Sequence, residues 1–519
     1  MTWRLSDAGT EACATDATGG AGLRAGRDAG AKSSEPRYQA RADGRSHQVG
    51  PGRKRKRDLA RKKKEANARE IRRRDAGSRE IRRPGTSGRA VVRQHGRASG
   101  REPARAQPAA RPRAVRVVRS GPVPPEPLAA LLGSMVANPL LAGDQVGLVL
   151  LDRDGRTRFA HNADRRFVPA STRKILVTAA ALALLGPDAS CSTRVLAAGR
   201  QVGDRLEGDL VLVGGGDPAL DGAGLDDLAL QVAGAGIRTV SGALLGDASR
   251  FRPAEDYGAG WAADDAGFAY ASRVSALVVD RNAASESAAS ANPAIHTLER
   301  FRASLRLAGV TVAGLSRLGE APEGARPVAR RDSPPLRDLV ARTNKASDNL
   351  YAEVLLRHLA AAATADAAAT TAQAGLDAEA AWLGWPREAY RLVDGSGLSR
   401  YDLLTPRQIA EVLVRMKDDP DFVASLPVAG VDGTLAGRLA GTRGHGRVRA
   451  KTGSMSGISA LAGYAGDRYV FAFVVNGHVG PLAPVRALQD AVCLALTNGA
   501  TASLAASGSL QALPDAIAP

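Results

Sequence analysis

From about residue 125 onward, the spacing of apolar positions separates helices from strands along the chain. Leu128, Leu131, Leu132 and Met135 recur at intervals of three and four, which predicts a short helix after the prolines at 122, 124 and 125. QVGLVLLDRDGRTRFAHN sets two apolar runs around Asp-Arg-Asp-Gly and predicts a β-hairpin. FVPASTRKILVTAAALALLG reads as one long buried helix, with Ser171 near its start and Gly186 past its end. From 190 to about 330 the texture changes. Residues 208–218 read as a strand entering a glycine turn, 225–237 as a helix, 239–249 as another strand, 283–294 as a loop and 296–310 as an amphipathic helix. Helical periodicity returns at 335. Thr405 precedes Pro406 as an N-cap, and residues 448–477 alternate between glycine turns as adjacent antiparallel strands do. Residues 484–496 close with a helix, and the Ala/Ser-rich tail after them is expected to fray.

Composition changes this picture mainly at the N-terminus. The 519 residues carry a net charge of +18, which invites a nucleic-acid reading until the charge is localised. Residues 1–120 hold 32 Lys/Arg against 12 Asp/Glu, leaving 39 against 41 in the rest. All the excess lies in an Arg-rich segment with almost no apolar periodicity, whose default state is disorder. It reads either as a passive tail or translated upstream sequence, or as an arm for acidic polymers. No run of 18 apolar residues predicts a transmembrane helix, and MTWRLSDAGTEACATDATGG lacks the apolar region of a signal peptide. Cys191 and Cys493 could pair, but read first as two isolated small apolar residues.

Three short motifs carry the candidate chemistry. In Ser171-Thr172-Arg173-Lys174 the i and i+3 residues share a helix face, so the Lys174 amine can approach the Ser171 hydroxyl. A lysine can take that proton only with a lowered pKa, through burial or a nearby cation. Alone the motif is weak, since background frequencies give roughly two S-x-x-K matches in a chain of this length. Ser347-Asp348-Asn349 stands at a helix mouth, where Ser and Asp also serve as ordinary caps. Lys451-Thr452-Gly453-Ser454 opens a strand. Its glycine would let a substrate backbone approach, and Lys451 would offer charge to a substrate carboxylate. No histidine spacing suggests a metal, and no cofactor is implied.

In this order, S-x-x-K, S-x-N and K-T-G are the signature of the penicillin-binding protein and serine β-lactamase superfamily. The segments 208–220, 260–277, 343–353, 393–406 and 427–439 narrow the match, and residues 125–497 resemble the D-Ala-D-Ala carboxypeptidase/endopeptidases of the DacB type. The resemblance implies an α/β (α+β) fold: a transpeptidase-like antiparallel sheet flanked by helices, with an α/β module inserted between the first two motifs. The expected organisation is a disordered segment (1–120), the transpeptidase-like domain in two parts (121–190 and 335–497), the inserted module (191–334) and a flexible tail (498–519). The family's longer β-rich insertion after VSALVVDRN (274–282) is shortened or absent here.

On that resemblance Ser171 is the nucleophile, Lys174 the acylation base and Ser347 the relay to the leaving amine. Asn349 holds the substrate amide, Lys451 and Thr452 meet the terminal carboxylate, and the N–H groups of Ser171 and Ser454 form the oxyanion hole. Strand alternation, however, puts Thr452 on the face opposite Lys451. The implied partners are peptidoglycan stem peptides, with β-lactams as inhibitors; nucleic acid is not expected. The implied location is the periplasm or cell envelope; the missing export signal implies either a misassigned start or an export route that the sequence does not reveal. Rival readings are a β-lactamase or esterase on the same core, a binding protein on an inactive scaffold, and nucleic-acid binding through the basic arm.

Overall fold

The structure is a computed structural model and describes residues 126–363 and 370–497. The readings of residues 1–120 and of the tail from 498 fall outside the described residues. In chain order the elements begin with α1 (Glu126–Val136), β1 (Gln145–Asp152), β2 (Thr157–His161) and α2 (Lys174–Leu185). A second group follows: β3 (Ser192–Val202), β4 (Arg205–Val213), α3 (Gly222–Gly234), β5 (Thr239–Val240), β6 (Leu244–Asp247), the short pair β7 (Glu255–Asp256) and β8 (Val274–Ser275), α4 (Pro293–Leu307), β9 (Thr311–Val312), β10 (Ser316–Leu318) and β11 (Arg326–Asp332). Helices α5 (Leu336–Lys345), α6 (Asn349–Ala363), α7 (Ala372–Leu383), α8 (Pro406–Met416) and α9 (Pro420–Ser425) come next. Strands β12 (Val448–Met455), β13 (Ile458–Ala465) and β14 (Tyr469–Asn476) and helix α10 (Ala483–Thr497) complete the fold.

One sheet joins the two ends of the described chain in the order β12-β13-β14-β1-β2, antiparallel throughout. Helices cover both of its faces. The core between the sheet and α2, α5, α6 and α8 contains Ile175, Leu355, Ile409, Ala462 and Val474. The core on the other face, under α1 and α10, contains Leu132, Leu148, Phe471, Phe473 and Val492. This explains a difference from the alternation expected over 448–477: every residue of β13 and all but the first of β14 are buried, because neither face meets water.

The second sheet has seven strands, built on the order β10-β6-β4-β3-β11, with β5 and β9 paired beside β4. Helices α3 and α4 lay Leu225, Leu228, Leu298 and Phe301 against it. The single strand expected over 239–249 is two, because Ser241 and Gly242 donate their N–H groups to Leu206 O and Gly208 O in a connecting turn. A Cβ on Gly242 would overlap the Asp209 carboxylate, so only glycine fits. The strand β3 was not anticipated. The α8 cap is as the sequence implied: Thr405 and Gln408 form a reciprocal capping box ahead of Pro406. The predicted long helix begins with a 3₁₀ turn, Ala170–Arg173, before α2, and Gly186 ends it at φ 84°.

Candidate active site

Ser171 sits on that 3₁₀ turn, between α2 and the inner edge of β12. Ala170 holds a left-handed φ of 58°, a conformation that a non-glycine residue keeps only when its surroundings enforce it. Here they do. Pro169 O accepts from Ser171 N–H at 2.9 Å and from Thr172 Oγ1 at 2.8 Å. A Cβ on Gly397 would overlap the Ala170 carbonyl oxygen, and one on Gly453 would come within 2.7 Å of Pro169 O. Gly453 therefore makes room for the serine turn. Behind the turn Arg173 donates to both oxygens of Glu379 on α7, at 2.7 and 2.6 Å, and both side chains are 0% exposed.

One turn further on, the fully buried Lys174 meets three oxygens. Its Nζ donates at 2.6 Å to Asn349 Oδ1, at 2.6 Å to Ser396 O, and stands 3.3 Å from Ser171 Oγ. Burial pulls its pKa down to about 8, against the opposing charges of Asp394, Asp348 and Glu353. A neutral amine has two N–H bonds and one lone pair. The two short contacts use the N–H bonds, and the lone pair is left for the Ser171 hydroxyl.

Ser347-Asp348-Asn349 divides its work. Ser347, at φ 58°, turns its hydroxyl to Lys451 Nζ, which donates to it at 2.8 Å. Asn349 fixes Lys174 and donates Nδ2 to Tyr270 O at 2.8 Å. Asp348 caps α6, accepting from Tyr351 N–H at 3.3 Å, and pairs with Arg281 and Arg342. The capping reading of the motif thus holds at Asp348.

On β12 Lys451 points inward. Its Nζ is fully buried, donates also to Thr452 O at 2.9 Å, and is held well below the usual lysine range by burial and by Lys174. Thr452 lies on the opposite face, as strand alternation requires, with Oγ1 donating to Thr434 Oγ1. Ser454 is exposed, and Ser171, Ser347, Asn349 and Ser454 all line a cleft of about 580 Å³.

A carboxylate network beneath the site carried no sequence signal. The loop Val393–Asp402 is folded around Asp394, which accepts from Gly397 N–H (2.7 Å), Ser399 N–H (2.8 Å), Ser396 Oγ (3.1 Å) and Trp261 Nε1 (2.9 Å). Glu353 on α6 accepts from the N–H groups of Gly395 and Ser396, both at 2.9 Å. These bonds aim the Ser396 carbonyl at Lys174. Burial and the Asp394 charge push Asp402 well above the usual carboxylate range, which favours its protonated form beside Asp394. Although burial opposes its charge, Asp394 is held below that range by Asp402 and the two loop N–H groups. Segment 393–406 contributed only to the resemblance; its Asp-Gly-Ser-Gly reads as a turn. On α6 Glu353 also stands 3.6 Å from Arg357 Nη1, one turn along the helix, and both side chains are buried.

Cys191 and Cys493 are buried and unpaired, as the simpler reading held. Among the described residues no group of three or more metal-capable side chains comes together, and no helix is long and apolar enough to cross a membrane.

The sequence matches the model of the D-Ala-D-Ala carboxypeptidase 3 (S13) family over residues 128–293 and 282–497. The two pieces meet at 282–293, the loop at which the resemblance implied a shortened insertion. The D-alanyl-D-alanine carboxypeptidase of an Actinomadura species is 32% identical over 461 residues, which cover 71% of this chain and 84% of that one. Penicillin binding protein 4 (dacB) from Haemophilus influenzae superposes with a TM-score of 0.63 at 25% identity, over 71% of this chain and 98% of that one. A second structure of it, complexed with a β-lactam, gives a TM-score of 0.58 at 24% identity over the same shares.

Proposed function

Because the chain belongs to the D-Ala-D-Ala carboxypeptidase 3 (S13) family, and is a serine-type D-Ala-D-Ala carboxypeptidase/endopeptidase, we propose that its chemistry runs through Ser171. The observation that carries this is the Lys174 environment: a buried amine with its two N–H bonds committed to Asn349 and Ser396 and its third direction open to Ser171 Oγ. In its neutral form Lys174 takes the hydroxyl proton as Ser171 attacks the carbonyl of the penultimate D-alanine of a stem peptide. Lys451 donates to Ser347 Oγ, which leaves the Ser347 proton free to pass to the leaving amine; the proton that Lys174 took from Ser171 then replaces it, so the net transfer is from Ser171 to the amine. Water then hydrolyses the acyl-enzyme.

The Ser454 N–H on the edge strand is the main oxyanion donor; that of Ser171 is engaged by Pro169 O and joins by sharing its hydrogen. Asn349 holds Lys174 and, once Tyr270 O is displaced, a substrate amide. Lys451 and Thr452 are assigned, as the resemblance implies, to the terminal carboxylate of the substrate, with Lys451 also polarising the Ser347 hydroxyl. The strands of residues 192–332 form the inserted module, and the sheet shared by 145–161 and 448–476 forms the catalytic domain.

A β-lactam would acylate Ser171 by the same route, in line with the β-lactam complex of the Haemophilus relative. Turnover of that adduct would be slow, since Glu353 and Glu379 are both committed beneath the site. A peptidoglycan substrate places the enzyme in the periplasm or cell envelope. The test is release of D-alanine from a stem pentapeptide by the full chain and by Ser171→Ala. The variant should fold and lose activity by at least about a thousandfold. Substantial residual release would reject the assignment.

A further inference from the structure

We propose that a pocket beyond Ser347 receives the leaving strand of a cross-linked substrate, with Arg281 and Arg342 as donors to a carboxylate of that strand; this rests on the function proposed above. The catalytic cleft runs from Ser171 and Ser347 toward Arg400, Met455 and Ser456. A second cavity, of about 430 Å³, shares Tyr270, Ser347 and Asn349 with it. Neither Ser171 nor any residue of β12 lines this cavity, which is walled instead by Arg281, Glu286 and Arg342. Its size is that of a small-ligand site.

The proton path fixes which part of the substrate faces it. Ser347 serves the leaving amine, so that nitrogen lies within about 3 Å of its hydroxyl. The acyl part then occupies the arm toward Ser456, and whatever the amine carries continues past Ser347. A leaving D-alanine ends within one residue's length, about 3.5 Å. A leaving stem peptide, joined through a side-chain amine, goes on, and the cavity is the space it enters.

The walls are held in place for such a ligand. Asp280, Arg281 and Asn282 have left-handed φ values of 47°, 58° and 57°, which non-glycine residues keep only under constraint. Asp280 N–H donates to Leu220 O at 3.0 Å and Asn282 Nδ2 to Arg273 O at 2.9 Å, and the turn so fixed carries Arg281 to Asp348. Arg342, in the last turn of α5, reaches the same Asp348 oxygen; the two distances are 3.3 and 3.8 Å. The Asp348 side chain is 7% exposed, while those of Arg281 and Arg342 are 52% and 47% exposed. Two cations thus share one nearly buried carboxylate and keep N–H donors for a second. Among the described residues Glu286, the other acid of the lining, pairs with neither of them. The exposed rings of Phe268 and Tyr270, stacked at 5.5 Å, offer an apolar wall to the aliphatic side chain that bears the amine.

The experiment gives the full chain two soluble substrates, a stem pentapeptide ending in D-Ala-D-Ala and a dimer of stem tetrapeptides cross-linked through D-alanine. The ratio of their kcat/KM values is compared in wild type, Arg281→Gln, Arg342→Gln, Arg342→Lys and Phe268→Ser. Losing one charge-assisted donor should lower cleavage of the dimer about tenfold relative to release of D-alanine, mainly through KM, with Arg342→Lys recovering part of it. Phe268→Ser, which leaves both arginines in place, should lower the same ratio. An unchanged ratio would overturn the proposal. So would two rates that fall together, the result expected if the arginines only brace Asp348 beside Ser347. β-Lactam labelling of Ser171 in each variant reports whether the site is folded. A wild-type chain that releases D-alanine but leaves the dimer intact would overturn this inference alone; one that neither labels nor releases D-alanine would fail the proposed function.

Discussion

Replacing Glu379 by glutamine tests whether the buried pair behind the nucleophile positions it. Arg173 and Glu379 are 0% exposed and share two hydrogen bonds, at 2.7 and 2.6 Å. Glutamine keeps one acceptor but turns the other contact into an amide NH₂ facing a guanidinium. The guanidinium cannot shed its proton at neutral pH, so it stays charged without a counter-charge. Breaking a buried pair in this way costs about 3–5 kcal/mol, a large share of a typical total of about 5–15 kcal/mol. Trp382, buried on the same helix as Glu379, gives a fluorescence signal for urea unfolding of the full chain. The variant's midpoint should fall accordingly. β-Lactam acylation, measured in buffer where the variant is still folded, should slow, because Arg173 lies between Ser171 and Lys174. Replacing both partners together, Arg173→Met with Glu379→Leu, should recover stability more readily than acylation rate. A loss under about 1 kcal/mol with an unchanged acylation rate would refute the reasoning.

The pH dependence follows from Lys174. Its pKa of about 8 means that the neutral base is the minor form at pH 7, so acylation should rise about tenfold between pH 7 and 9 and then level off; a flat stopped-flow profile over that range would contradict the assignment. Asp402→Asn should cost less than about 1 kcal/mol in urea unfolding, since an amide can still accept from Val393 N–H and donate to Asp394. Asp394→Asn, which sets an NH₂ against donors from Ser396, Gly397, Ser399 and Trp261, should cost about 3 kcal/mol; equal costs would remove the shared-proton reading. Gly397→Ala should slow β-lactam acylation by at least about tenfold, because the new methyl displaces the Ala170 carbonyl and with it the serine turn. Wild-type kinetics in that variant would show that the turn is not clamped.

How much of this was legible in the sequence depended on whether a feature announces itself through side-chain type. Ser171, Lys174, Ser347, Asn349 and Lys451 stand in short motifs, and helix and strand periodicity placed each on the right kind of element. The direction of Lys451 was harder. Alternation separated it from Thr452, but only the covering of both sheet faces by helices shows that its face is the buried one. A further reason for Gly453 was hidden for a related cause: what presses on that glycine is a turn from a segment almost three hundred residues earlier. Ser396 contributes a backbone carbonyl, which no residue type encodes. Asp394, Asp402 and Glu353 were not singled out, because a raised carboxyl pKa and a buried ion pair are properties of burial.

The most direct test of the central claim is mass spectrometry of the full chain after exposure to a β-lactam, wild type beside Ser171→Ala. The account predicts a single long-lived adduct on the peptide containing Ser171, absent from the variant. An adduct on another residue, an adduct that persists in Ser171→Ala, or none on a folded wild-type chain would contradict it.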